Sequence, residues 1–584
     1  MNSSRWSRRA AVILLLSLLV LVLSACRRSI TQTTPSASPA PIGTATPGAE
    51  AATIKPQKGG SLVAAIPEQP DSLNFSLAYQ VTAFWVLSAL DARMIRFRQD
   101  GTYDPQLLAE VPSTENGGVS DDGRTWTLHF RPKLSWSDGE PLDARDFKFT
   151  WATMTDRAYP AVDRSGWSSI AGIRLSGDDL TAVLSLRQPN AGLLDQILAG
   201  RSDDRRGFLL PAHILDSVPP SQIPDSGYGA AGHVGSGPFK LAKWTPGEQV
   251  VVERNDHFFG TPALLDRIVY RIVPDSRVRL GSLDSGEIDL APGLPETSLN
   301  VLNQLSGVQV SLLPMSGAVD LLAFNLDDPT NLGSVNPVLS DPVVRQSVEL
   351  AFNRQRAAAE ISPNAPVVET PLAYTRWADT ALPTVSYDPA RAAALLDADG
   401  WVIQANGVRA KNGVRLAFSN TTISGTDPEA TVRQAIQQRL VKDLAAVGIE
   451  VVPRNLAPDE FSVALAKRQF ESADLWNDAR SDLVDFRLRF SSGAQGGGNV
   501  MGYYSLVVDQ ALSAAASAED QDRRQQLLNT AQQQIHQDIP VIPIFAHLQV
   551  DAGRAYVQGL QPGSIAGLWW NVEDWWLNRA QTTP

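Results

Sequence analysis

The 584-residue chain holds one cysteine, Cys26. With that residue committed elsewhere, no thiol remains for a disulfide or a thiolate metal site, so burial alone must hold the fold. Histidine is scarce as well. The six stand at 129, 213, 233, 257, 536 and 547, no two of them three or four apart. That spacing excludes a His-Glu-x-x-His zinc helix, and no Gly-x-Ser-x-Gly elbow occurs. A hydrolase would need a triad gathered from distant residues, which nothing in the sequence suggests. Beyond Cys26 no apolar run reaches the roughly 18 residues of a membrane-spanning helix. Basic residues are short too, 50 against 62 acids, for a formal charge of −12. Removing residues 1–25 takes away Arg5, Arg8 and Arg9 and no acid, which moves the charge to −15. A balance of that sign argues against nucleic acid or anionic lipid as the main partner.

What is present begins at the N-terminus. Arg5, Arg8 and Arg9 precede an almost unbroken apolar run from Ala10 to Leu23, and small residues lead to Cys26. This is the layout of a secretory signal, too short and wrongly flanked to span a bilayer. Leu23-Ser24-Ala25-Cys26 resembles a bacterial lipoprotein signal, which implies cleavage after residue 25 and lipid on the Cys26 sulfur. Ser7-Arg8-Arg9 is a weak match to a twin-arginine signal, so the Sec and Tat export routes both stay open. Residues 26–58 are rich in Ser, Thr, Ala and Pro and read as a tether, because such composition cannot bury enough surface to offset its ordering entropy.

A globular body of more than 500 residues follows, enough for several packing units. Ser61 to Ile66 is expected as its first strand. Asp121-Asp122-Gly123 and Ser137-Asp138-Gly139 read as turns, and Thr125 to Phe130 as an alternating strand. Asp143 should cap a helix, with Asp146 at its third position. Leu265 to Val273 is expected as a strand, and Asp341-Pro342 should open a helix that buries Val344, Val348, Ala351 and Phe352. A further helix from about Pro428 to Val447 presents Val432, Ile436, Leu440 and Leu444, stops at Gly448 and leads into a strand. Mixed elements of this kind point to an α/β fold.

The order of motifs resembles the large extracytoplasmic solute-binding proteins of the peptide and nickel ABC-importer class, family 5. Leu134 to Phe147 is similar to that family's aromatic, Asp-Gly, Pro and capped-helix stretch, with Asp143 where Thr is usual and Phe147 where Val is usual. Gly235-Ser236-Gly237-Pro238-Phe239 resembles its Gly-Thr-Gly-Pro-Tyr strand, and Gly286-Glu287-Ile288-Asp289-Leu290 its Gly-Glu-Ile-Asp strand. Phe324-Asn325, Asp341 to Gln346, Asn353-Arg354, Tyr387-Asp388-Pro389, Gly400-Trp401 and Arg523 to Phe545 follow in family order. The resemblance runs from about Gly59 to Leu577.

It implies a two-lobed periplasmic-binding-protein-like clamshell of type II. Lobe I would take 59–92, 236–318 and 541–584, an inserted subdomain 93–235, and lobe II 319–540. It further implies a monomeric receptor without cofactor or catalytic residues, held on the outer face of the cytoplasmic membrane. A short peptide would close the lobes, and the complex would dock on an ABC permease with its ATPase subunits. A nickel chelate, a sugar, or a tethered hydrolase or receptor uncoupled from transport are the alternatives. Five methionines and unclustered histidines weaken the nickel reading.

Peptide-binding relatives hold the ligand amine with an Asp shortly after a Trp, and Trp476-Asn477-Asp478-Ala479-Arg480-Ser481-Asp482 is the local match. Asp478 and Asp482 compete for that role. Arg480 would meet a ligand carboxylate or pair with a neighbouring acid. Asn74 and Phe75, just after the first strand, and Tyr504, in a Gly-rich neighbourhood, are further pocket candidates. Trp569-Trp570 and Trp575-Trp576 read as lobe I packing.

Overall fold

Behind Gly59 and Gly60, the apolar positions Leu62, Ala64 and Ile66 alternate as a half-buried strand requires, and Ser61–Ile66 forms β1. The computed structural model describes residues 55–578 apart from 332, 479–482 and 493–497. The signal, Cys26, most of the tether, Arg480 and Asp482 therefore lie outside the described residues.

Nine more strands complete a ten-stranded sheet: β2 (Phe239–Thr245), β3 (Gln249–Arg254), β4 (Arg267–Ile272), β5 (Leu290–Leu294), β6 (Val308–Phe324), β7 (Ala417–Ile423), β8 (Glu450–Leu456), β9 (Ser472–Asp478) and β10 (Val541–Arg554). Their order across the sheet is β8-β7-β9-β6-β10-β5-β1-β4-β3-β2. β1 runs parallel to β4, with Ser61 opposite Arg267 and Ile66 opposite Ile272. The strand expected over Leu265 to Val273 is thus two residues shorter at its start and one at its end. Gly286 is the left-handed cap (φ +79°) of helix Ser276–Ser285, and β5 starts only at Leu290. The Gly-Glu-Ile-Asp motif is consequently a helix stop and a turn before the strand, because the αL backbone that Gly286 adopts ends a helix rather than extending a ladder.

β7 and β8 are parallel and flank helix Pro428–Ala445. Asp427 caps this helix by accepting from the Ala430 N–H, and Pro428 sits where a missing N–H costs nothing. Gly448 (φ +80°) ends the connection, and a Cβ there would come within 2.9 Å of Arg409 Cγ. Ile436, Leu440 and Leu444 are buried as their spacing requires. The helix at Ala144–Thr155 forms a complete capping box: the Asp143 side chain accepts from the first turn and the Asp146 side chain from the Asp143 N–H. Asp341 likewise caps Pro342–Ala351, which buries Val344, Val348 and Ala351.

Buried apolar side chains divide along the chain. One cluster joins Leu62, Ile268 and Phe239 to Trp126, Phe147 and Leu184 of the 93–235 segment, and to Trp569 and Trp575. Those tryptophans are core, as their position near the C-terminus implied. On the other face of the same strands lie Leu283, Ala291, Leu302 and Val550. Two further clusters cover the opposite faces of the β6–β9 half, one around Leu321, Leu475 and Phe486, the other around Phe324, Val348 and Leu440. Among the described strands only β6 and β10 run through both halves of the sheet. Their pairing slips between Pro314 and Val319 and again before Leu321, where the cores change over. Among the described residues no helix is long and apolar enough to cross a membrane.

Candidate ligand-binding site

β9 runs antiparallel to β6 and ends beside the crossover, with Trp476 opposite Asp320 and Asp478 opposite Ala318. Period-two alternation sends Ala473 and Leu475 into the core and puts Asp474 and Trp476 on the other face. On that face β7 contributes Asn420 and Thr422, β6 contributes Asp320, and helix Pro428–Ala445 lays Arg433 across them. From β10 comes His547, whose ring stacks on the Trp476 indole at 4.7 Å and 20°.

Electrostatics in this patch are concentrated by burial. His547 Nε2 lies 2.9 Å from Asp320 Oδ2, although the ring N–H is not aimed along a straight hydrogen bond. Burial opposes charge on His547, but the Asp320 carboxylate outweighs it and the imidazole pKa is raised. Burial lifts the Asp474 carboxyl to about 8, with Asn420 and Arg433 resisting and Asp320 adding to the rise. Arg433 pairs with Glu429 at 2.5 Å. Asp474 Oδ2, Thr422 Oγ1, Arg433 Nε and Trp476 Nε1 are all buried without a hydrogen-bond partner among the described residues. Buried polar groups are normally satisfied, so such a concentration marks a place built to receive polar atoms.

The sequence-derived candidates separate. Trp476 lies in this patch and is half-buried, and Asp478 follows it on the same strand, where its backbone alone is described. Asn74 and Phe75 are both buried. Asn74 donates to Tyr159 Oη (3.0 Å) and accepts from Ser76, so its amide is consumed internally, while Phe75 packs on Phe208 at 5.9 Å. The polarity at Asn74 anchors a buried turn, and these two residues are core. Tyr504 is 72% exposed. Asp320, Asp474 and His547 escaped the sequence reading. Their signal was available: Asp320 is the one charge in Ala318 to Phe324, and a lone acid within a buried apolar strand needs a reason.

The 93–235 segment also touches the second half directly. The Ala191 N–H donates to Ala516 O (3.1 Å), Arg524 Nη1 donates to Ala191 O (2.6 Å), and the Arg376 guanidinium lies 4.3 Å from the Tyr103 ring centre. Two cavities of about 420 and 340 Å³ open along this seam. Among the described residues no group of three or more His, Cys, Asp or Glu could hold a metal ion.

Residues 103–498 match the family model for bacterial extracellular solute-binding proteins, family 5, middle region. The chain belongs to this family. Members of family 5 are substrate-binding proteins rather than enzymes. The oligopeptide-binding protein AppA of Bacillus subtilis is 21% identical over 583 residues, 98% of this family 5 chain and 99% of the relative. The dipeptide-binding protein DppE of the same organism is 22% identical over 516 residues, 84% and 88% of the two chains. The solved structure of AppA in complex with a nonapeptide superposes with a TM-score of 0.65 at 20% identity, over 90% of this chain and 100% of that one. NikA from Brucella suis, in complex with Fe(III)-EDTA, gives 0.69 at 21%, over 89% and 100%. These likenesses show the α/β two-lobed clamshell of family 5.

Proposed function

We propose that this protein is the lipid-anchored substrate-binding component of an ABC importer, capturing short peptides between two lobes and handing them unaltered to a membrane permease. The unpartnered polar patch around Trp476, Asp320 and His547, set beside the crossover at the end of β9, carries the reading. An extended peptide offers both donors and acceptors to such a surface, and its ammonium would sit against Asp478 with the Trp476 face beside it. Relatives whose names specify oligopeptides and dipeptides support that ligand class. The slip in β6 and β10 is where hinge bending would be absorbed, since few backbone bonds must change there. Lobe I would comprise 59–92, 236–318 and 541–584, with 93–235 inserted and 319–540 as lobe II.

A panel of di- and oligopeptides, sugars and nickel chelates, read by thermal shift, tests the ligand class. A ligand that binds only the folded form must raise the melting temperature, so a response confined to chelates or sugars would replace peptide with that class, and silence throughout would remove the capture reading. In the positive case Asp478→Asn should weaken peptide binding more than tenfold, about 1.4 kcal/mol; unchanged affinity would move the amine contact elsewhere. For the anchor, Cys26→Ser should shift the exported protein from the membrane fraction to the soluble one, and retention on the membrane would refute lipidation at that residue.

A further inference from the structure

The larger cavity on the seam, about 420 Å³, is within the size range of small-molecule sites. Its charge among the described residues is one-sided. Arg187 follows strand Thr181–Leu186, Arg487 lies in helix Leu483–Phe490 and Arg524 in helix Gln521–Asp538, and neither Asp nor Glu is among the described lining residues. In a chain with a formal charge of −12, that lining runs against the average surface. Arg187 and Arg487 are exposed and carry no ion pair among the described residues. Arg524 is more than nine-tenths buried, lies 4.9 Å from the Trp377 ring centre, and keeps its Nε–H without a partner. Facing these cations, Leu483, Leu512 and Leu528 supply an apolar wall.

We infer that this cavity binds a carboxylate carried on a short aliphatic group. The anion would accept charge-assisted hydrogen bonds from Arg187, Arg487 and the open Nε of Arg524, while the hydrocarbon packs on the leucines. The neighbouring cavity of about 340 Å³ shares Arg524 but is lined by Glu115, Glu519, Asp520 and Asp522, so it repels a carboxylate and confines it to the first. Arg187 belongs to the 93–235 segment and Arg487 and Arg524 to the second half, so one anion bridges both and favours the arrangement in which they meet. The inference rests on the peptide reading only in that a peptide C-terminus is one source of such a group; a free aliphatic acid is the other.

Calorimetry on the mature protein with two matched pairs tests it: Ala-Ala-Leu against its C-terminal amide, and 4-methylpentanoate against 4-methylpentanamide. The acid of at least one pair should bind ten times more tightly than its amide. In the Arg187→Gln, Arg487→Gln double variant that preference should fall below threefold with the melting temperature retained, because both residues are exposed and neither forms an ion pair among the described residues. If the double variant melts early, Arg487→Gln alone is read by the same criterion. Equal binding of acid and amide, no binding of either pair, or a preference that survives the substitutions overturns the site. Peptides bound equally as acid and amide would leave peptide capture standing without this site; 4-methylpentanoate bound while no peptide binds would do the reverse.

Discussion

Asp146, in helix Ala144–Thr155, and Asp320, in β6, are both buried aspartates beside a tryptophan, yet their surroundings differ in kind. Asp146 accepts from the Asp143 N–H (3.1 Å), the Ala212 N–H (2.9 Å) and the Trp136 indole (3.4 Å). Burial raises its pKa to about 6, with those donors holding it down. One turn on, Thr150 donates to Asp146 O (2.7 Å) and accepts from the Leu210 N–H (2.9 Å). Around Asp320, by contrast, Asp474, Thr422, Arg433 and Trp476 each leave a buried polar atom without a protein partner. Saturated polar groups fasten a segment to itself. Open ones in the same degree of burial are tolerable only where something else completes them.

Four substitutions test this contrast. The largest effect is expected from Asp474→Asn. The folded carboxyl keeps its proton up to about pH 8, whereas the unfolded one releases it near 3.8, so wild-type stability falls as pH rises between those values. The variant lacks that loss, and its advantage should grow by several kcal/mol from pH 4 to pH 8, about 1.4 kcal/mol per pH unit at most. A pH-independent difference between the two proteins would show that Asp474 titrates normally. Next comes Asp146→Ala, which strands three donors and should cost about 3 kcal/mol in urea unfolding, with peptide affinity of the folded protein within twofold. Weakened affinity at unchanged stability would dissolve the distinction. Smallest is the matched pair Thr150→Val and Thr422→Val. Thr150 uses its hydroxyl twice and its loss should cost about 1–2 kcal/mol; Thr422 uses its hydroxyl for nothing in the protein, and valine there should change stability by less than about 0.5 kcal/mol. Equal costs at the two positions would mean the open groups are structural after all.

Local chemistry was readable from the residues alone. The Asp143 cap with Asp146 three positions on, the Asp341-Pro342 start and the Gly448 stop each act within a few residues of themselves, and each is realised. Pairings that bridge long separations were not readable. Nothing near Ser61 indicates Arg267 as its strand partner, and Asn74 is satisfied by Tyr159, 85 residues away. Without that partner its polarity looked available to a ligand. The patch around Trp476 was half legible: the tryptophan stood out in sequence, but His547 arrives from β10 and Asp320 from β6. Arg187, Arg487 and Arg524 converge from segments some 300 residues apart, and only the meeting of the two halves makes them neighbours.

β10 is nearly the last strand to be synthesised and yet lies at the centre of the sheet, between β5 and β6. While a nascent or translocating chain still lacks Val541–Arg554, both of those strands present a bare row of backbone donors and acceptors. From the completion of β9 at Asp478 until Val541–Arg554 appears, the protein therefore exists as two unjoined half-sheets, open to pairing with the wrong strand, and becomes a single body only when its tail threads between them.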